Sequence, residues 1–232
     1  MSQPAGVFTA ADVRAYLLRC GRAIRRHQAG LTALDTALGD GDHGDNMALG
    51  FRAIDELTAT PAALEMSAGE LLRQAGHTLV ASVGGASGPL YGTAFLEAGF
   101  LVSARRDLDA SDLADALLAA ADGLARRGRC QVGDKTILDT LRPAADAFAG
   151  AVAAGADDTT AARAMFRAAY AGMRSTRPLV ARRGLALRLG ARSAGHLDPG
   201  AVSAFLLIRA MAPDHADGRQ PARGASIEAG AA

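Results

Sequence analysis

Between Leu31 and Met47 the chain reads LTALDTALGDGDHGDNM, and this stretch limits what the whole can become. Leu31, Leu34 and Leu38 recur at helical spacing, and Gly39 stands where such a helix stops. Asp35 then falls on the last helical turn, with Asp40 and Asp42 on the loop beyond it. Residues two apart on an extended loop point the same way, so Asp40 and Asp42 can converge, with Asp35 facing them. Carboxylates held that close repel unless something neutralises them. Hard oxygen ligands on a glycine-rich loop suit Mg²⁺ or Ca²⁺. A calcium EF-hand fits poorly, because the loop's twelfth position, Phe51, lacks the bidentate Glu. The bland alternative is an acidic surface loop whose aspartates cap helices.

Composition extends the helical argument. Half of the 232 residues are hydrophobic but only 4% are aromatic, and there is no Trp. Ala-rich sequence poor in aromatic and β-branched residues favours packed helices over a sheet. A formal net charge of +1 implies no general nucleic-acid or membrane field. Cys20 and Cys130 make no disulfide framework, and no apolar run has the length of a membrane span or signal peptide. A cytoplasmic protein is the default expectation. Almost every basic residue is Arg; Lys135 is the only lysine.

Taken in order, Thr9 caps a helix from about Ala10 carrying Val13, Tyr16, Leu17 and Ile24. A second helix ends at the aspartate loop, and a third runs from near Asp45 through Phe51 and Leu57. Ser67 with Glu70 forms a capping box for the next helix. Gly84 and Gly85 break that helix, and Pro89 fits the first turn of another. A helix start preceded by glycines offers free amides to an anion, although a tight turn needs the same glycines. Asp109 to Arg127 reads as a helix capped by Ser111. GRCQVGDKT, residues 128–136, nearly matches a phosphate-binding P-loop, but Asp134 intrudes before Lys135 and no strand precedes it, which excludes that motif. Asp134 instead starts a helix over Lys135–Val152, and Asp157–Met173 follows. Ser175–Gly200 is a polar connection with Arg182, Arg183, Arg188 and Arg192, and Pro199 opens a final helix to Met211. Residues 213–232 lack apolar periodicity and read as a disordered tail. One all-helical domain of eight or nine helices, residues 8–212, is expected. In an up-and-down bundle its four glycine-marked connections lie at one mouth.

The order GDGDHGDNM, GGASGP-YGT, GDKT-LD-L-PA and RSAGH-DPGA resembles the nucleotide-binding L subunit of dihydroxyacetone kinases, over roughly Phe8 to Ala212. The resemblance implies an eight-helix antiparallel barrel, with ADP or ATP held at one end through two Mg²⁺ ions. Asp35, Asp40 and Asp42 match the metal-ligating aspartates. His43, Gly44, Asp45 and Asn46 match residues lining the phosphates, as do Ser87 and Gly88. Gly128 and Ile137 match contacts on the base side, and Asp198, Pro199 and Gly200 a further nucleotide contact. No residue of this chain matches the histidine that binds the ketose on the separate K subunit.

The family pattern has GRASYLG where this chain has GLALRLG, so Leu185 replaces an arginine that helps to hold the nucleotide, with Arg188 three residues on. The resemblance implies phosphoryl transfer to a small ketose held on a K subunit. ADP then stays bound and a phosphohistidine carrier recharges it, with phosphoenolpyruvate as ultimate donor. Two other uses are consistent with the motifs: an ATP-exchanging kinase subunit for another ketose or tetrose, and a nucleotide-sensing module that binds a transcription regulator. A homodimer is the expected assembly.

Overall fold

The computed structural model describes residues 7–212, and the expected tail, 213–232, lies outside them. Among the described residues there are nine α-helices and one 3₁₀-helix. Helix α1 spans Ala10–Leu38, α2 His43–Thr58, α3 Pro61–Glu65, α4 Ala68–Ser82 and α5 Ser87–Leu101. Helix α6 spans Ala110–Gly128, α7 Leu138–Ala153, α8 Asp158–Ser175 and α9 Pro199–Arg209; the 3₁₀-helix is Leu185–Ser193. None of these helices is long and apolar enough to cross a membrane.

Each long helix packs on the next, with α3 a short connector between α2 and α4, and α9 returns against α1. Eight helices therefore close a ring. Short connections make sequential neighbours antiparallel, so the turns after α1, α4, α6 and α8 share one end. The interior of the ring is filled by Leu17, Ile24, Leu31, Met47, Phe51, Ile54, Leu71, Leu79 and Leu124, all fully buried. A second apolar cluster, Phe148, Met165 and Ile208 with small alanines, joins α6, α7, α8 and α9. Along the α4–α5 seam, a Cβ on Gly76 would lie 2.8 Å from the Gly92 carbonyl, and one on Gly99 2.7 Å from that of Gly69. The two backbones touch there, which fixes the glycine turn between them.

Three local expectations are corrected. The two helices expected before Gly39 are one, because Gly30 faces open space and nothing else between Ile24 and Leu31 breaks the pattern. Helix α6 is capped by Asp109, whose carboxylate accepts the Asp112 amide, and not by Ser111. Lys135 does not open a helix: its φ of 64° places it in the left-handed region, and α7 begins at Leu138. The arginine-rich polar connection carries a 3₁₀-helix in its middle. The caps at Thr9 and Ser67 form as expected, each with its capping box.

Candidate nucleotide and metal site

The end of α1 and the start of α2 hold the carboxylates. One oxygen from each of Asp35, Asp40 and Asp42 lies within 4.8 Å of the others. Asp35 is buried, and its Oδ2 accepts the main-chain amides of Asp42 at 3.0 Å and His43 at 3.1 Å. Those two bonds fold the loop back over the helix end and fix Asp35 while Asp40 and Asp42 stay exposed. Gly41, at φ 77°, makes the reversal possible. Burial, and then the charges of Asp40 and Asp35, raise the Asp42 carboxyl above its ordinary value, against a hydrogen bond from Asn46 that lowers it. Three carboxylates and no sulfur or imidazole make a donor set for a hard divalent cation such as Mg²⁺.

Anion-binding groups surround this trio. Six α-helices start with a side chain bonded to a first-turn amide: Thr9, Thr60, Ser67, Asp109, Asp157 and Asp198. Helix α5 starts without one; at α2 the Asp35 carboxylate takes only the His43 amide, and at α7 Thr136 Oγ1 takes that of Leu138. The amides at the start of a helix have no partner within it and carry the positive end of its dipole. The starts of α2 and α5 face the shared mouth, where a phosphate can take up their remaining amides.

A buried hydrogen-bond chain holds these starts in register. The His43 ring is buried, with Nδ1 3.1 Å from Ser87 Oγ and Nε2 2.8 Å from Ser203 Oγ. Tyr91 Oη lies 2.6 Å from Ser203 Oγ and donates to the Gly200 carbonyl at 3.0 Å. Burial pushes the imidazole down to about 4, against the pull of Asp35, so the ring is neutral near pH 7. The chain ties α2, α5 and α9 together at the mouth.

The structure brings together most of the residues expected from sequence. His43, Gly44, Asp45 and Asn46 form the first turn of α2. The His43 ring is turned inward to the two serines and its amide is spent on Asp35, so this turn presents the amides of Gly44 and Asp45 to the mouth. The Asp45 carboxylate is engaged by Gln28 Nε2 at 2.7 Å and stands apart from the metal trio. Gly84 passes against Asn46, where a Cβ would lie 3.0 Å from Oδ1, so the glycine turn carrying Ser87 and Gly88 abuts α2. Ile137 packs on Gly200, where a Cβ would lie 2.7 Å from Ile137 Cγ1. Asp198 caps α9 through the Ala201 amide at 2.7 Å. Gly128 ends α6 beside Leu90 and Cys130, further out on the same side. Leu185 is 41% exposed and begins the 3₁₀-helix. Leu38 packs with Ala181 and Ala186, which lays the arginine-rich segment against the end of α1. Arg183 Nε donates to the Arg129 carbonyl at 2.7 Å, and the other arginines of the segment are exposed at its surface.

Sequence reasoning missed Tyr91, Ser203, Thr176 and Asp139. Their partners lie far along the chain or within turns with no periodic signal. Lys135 was visible as the lone lysine and in the near-match to a P-loop, but not as a clamp.

Comparison with known proteins identifies the family of the chain. A family model described as the DAK2 domain matches residues 37–213. The chain is 36% identical over 191 residues to the "PEP-dependent dihydroxyacetone kinase 2, ADP-binding subunit DhaL" of Listeria innocua, covering 82% of this chain and 88% of that protein. It is 38% identical over 197 residues to the "PEP-dependent dihydroxyacetone kinase, ADP-binding subunit DhaL" of Escherichia coli, covering 85% and 93%. The crystal structure of the dihydroxyacetone kinase from C. freundii in complex with AMP-PNP and Mg²⁺ superposes with a TM-score of 0.67 at 24% identity. That match covers 91% of this chain and 35% of the other, and it shows the shared fold. Motif order, fold and coverage agree: this chain belongs to the DAK2 domain family.

Proposed function

We propose that the chain is the nucleotide-carrying L subunit of a dihydroxyacetone-type kinase. It binds ADP or ATP with two Mg²⁺ ions and passes a phosphoryl group to a small ketose held on a separate K subunit. The observation that carries this is the carboxylate trio within 4.8 Å, set beside the unspent amides at the starts of α2 and α5. Carboxylates alone would repel a nucleotide; carboxylates with a cation, next to unspent amides, fit a diphosphate. Bound Mg²⁺ would supply charge neutralisation across the phosphate oxygens. Asp35, Asp40 and Asp42 would hold the metal. The first turns of α2 and α5, from His43 to Asn46 and at Ser87 and Gly88, would receive the phosphates. Gly128, Ile137 and the start of α9 at Asp198, Pro199 and Gly200 would border the rest of the nucleotide. Phosphoryl transfer of this kind depends mainly on positioning and electrostatics, which rigid helix starts provide.

Near-complete coverage of separate DhaL subunits favours a multi-chain kinase, with retained ADP recharged by a phosphohistidine carrier in the cytoplasm. Exposed Leu185, in place of the family arginine, favours a second reading in which nucleotide exchanges each cycle. Reconstitution tests the main reading. The purified chain with dihydroxyacetone and ATP should give background turnover, and a K subunit with a phosphohistidine carrier and phosphoenolpyruvate should restore it. Robust turnover by the chain alone would overturn the subunit assignment.

A further inference from the structure

We infer that Lys135 is a positioning residue that clamps together the two walls of the nucleotide site away from the metal. This rests on the nucleotide-binding reading above. Lys135 is 1% exposed and sits in the left-handed backbone region. Its Nζ donates to the Thr176 carbonyl at the end of α8, at 2.7 Å, and to the His196 carbonyl before α9, at 2.5 Å. The connection from α6 to α7 is thereby fastened to the turn that leads into α9.

Each wall is braced on its own side of the clamp. Asp139 accepts the amides of Gly133 at 2.6 Å and Thr136 at 2.7 Å, and Asp134 accepts that of Gln131 at 3.0 Å. On the other side, Thr176 Oγ1 accepts the Asp198 amide at 3.1 Å. A second bond crosses between the walls, from Thr140 Oγ1 of α7 to the Ala201 carbonyl of α9, at 3.0 Å. Where the walls meet, Ile137 lies against Gly200 with no room for a side chain. A buried ammonium and a left-handed lysine are both unfavourable on their own. Here Lys135 stands near the carboxylates of Asp139 and Asp198, which offset its charge. The ammonium points at main-chain carbonyls inside the protein and is no P-loop phosphate ligand. Its effect on a nucleotide is the spacing it sets between Ile137 and the start of α9.

The test separates the nucleoside part of the ligand from its phosphates. Affinities for ADP, inorganic pyrophosphate and Mn²⁺ are measured on the full chain, with Mg²⁺ present for the first two. Lys135→Met should weaken ADP tenfold or more while pyrophosphate and Mn²⁺ stay within about threefold, because α2, α5 and the aspartates are untouched. Lys135→Arg should fall between Lys135→Met and the parent. If Lys135→Met does not fold, Gly200→Ala, which pushes the same walls apart, must show the same ADP-selective loss. Equal weakening of ADP and pyrophosphate, or unchanged ADP affinity in a folded variant, overturns the proposal. A parent that binds no ADP overturns the nucleotide reading and this proposal together.

Discussion

Replacing Asp42 with Asn should stabilise the metal-free protein and remove its response to Mg²⁺, two effects of opposite sign from one substitution. Asp42 is exposed and is the residue before α2, where Asn is accepted equally well. The side effect on the helix start is therefore small. Its carboxylate lies within 4.8 Å of oxygens from Asp35 and Asp40. In water, each such pair repels by about 0.9 kcal/mol, and physiological salt reduces this further. Removing both repulsions should yield about 1 kcal/mol, or a rise of about 2–4 °C in Tm for a chain of this size. Magnesium reverses the order. At one hundred times its dissociation constant it should stabilise the parent by about 2.7 kcal/mol and the variant much less. Differential scanning calorimetry at low salt, in chelator and then in excess Mg²⁺, reads both effects. A variant less stable than the parent in chelator, or one with an undiminished Mg²⁺ response, refutes the reasoning.

Two further outcomes follow from the site. Burial raises the Asp198 carboxyl to about 7, aided by Asp139 and Asp35 and opposed by the Ala201 amide and Lys135. The folded state thus holds this proton more tightly than the unfolded chain, so stability falls as pH rises from about 4 through 7. Asp198→Asn, which keeps the cap, should be more stable than the parent by about 1–2 kcal/mol at pH 8, with the gain gone near pH 4; equal melting curves at pH 8 would contradict this. Leu185→Arg should slow ADP release in stopped flow, since a charge-assisted contact worth about 1.5–3 kcal/mol corresponds to roughly 10- to 150-fold. Unchanged release in that variant, with much faster release in Arg188→Ala, would show that Arg188 already fills the role.

The features legible in sequence are those with a local physical cause. Apolar spacing, the Thr9 cap and the Ser67–Glu70 pair located helices because they act within one or two turns. The aspartate loop was legible because Gly39 ends α1 and the charges cannot be buried unpaired. Alternation of connections placed the four glycine-marked turns at one mouth, and the His43–Ser87–Ser203 chain and the Lys135 clamp join them there. What was not legible acts over long separations. Tyr91 and Ser203 are 112 residues apart, and Lys135 and His196 are 61 apart. The error at Lys135 has the same origin: local propensity favours a helix there, and two distant carbonyls impose a left-handed turn.

The central claim is that this chain holds a nucleotide through metal on the aspartate trio. Calorimetric titration with ADP, in excess Mg²⁺ and again in excess chelator, tests it most directly. The account predicts saturable one-to-one binding with Mg²⁺ and none measurable in chelator. Equal affinity in both conditions, or no binding in either, would contradict it.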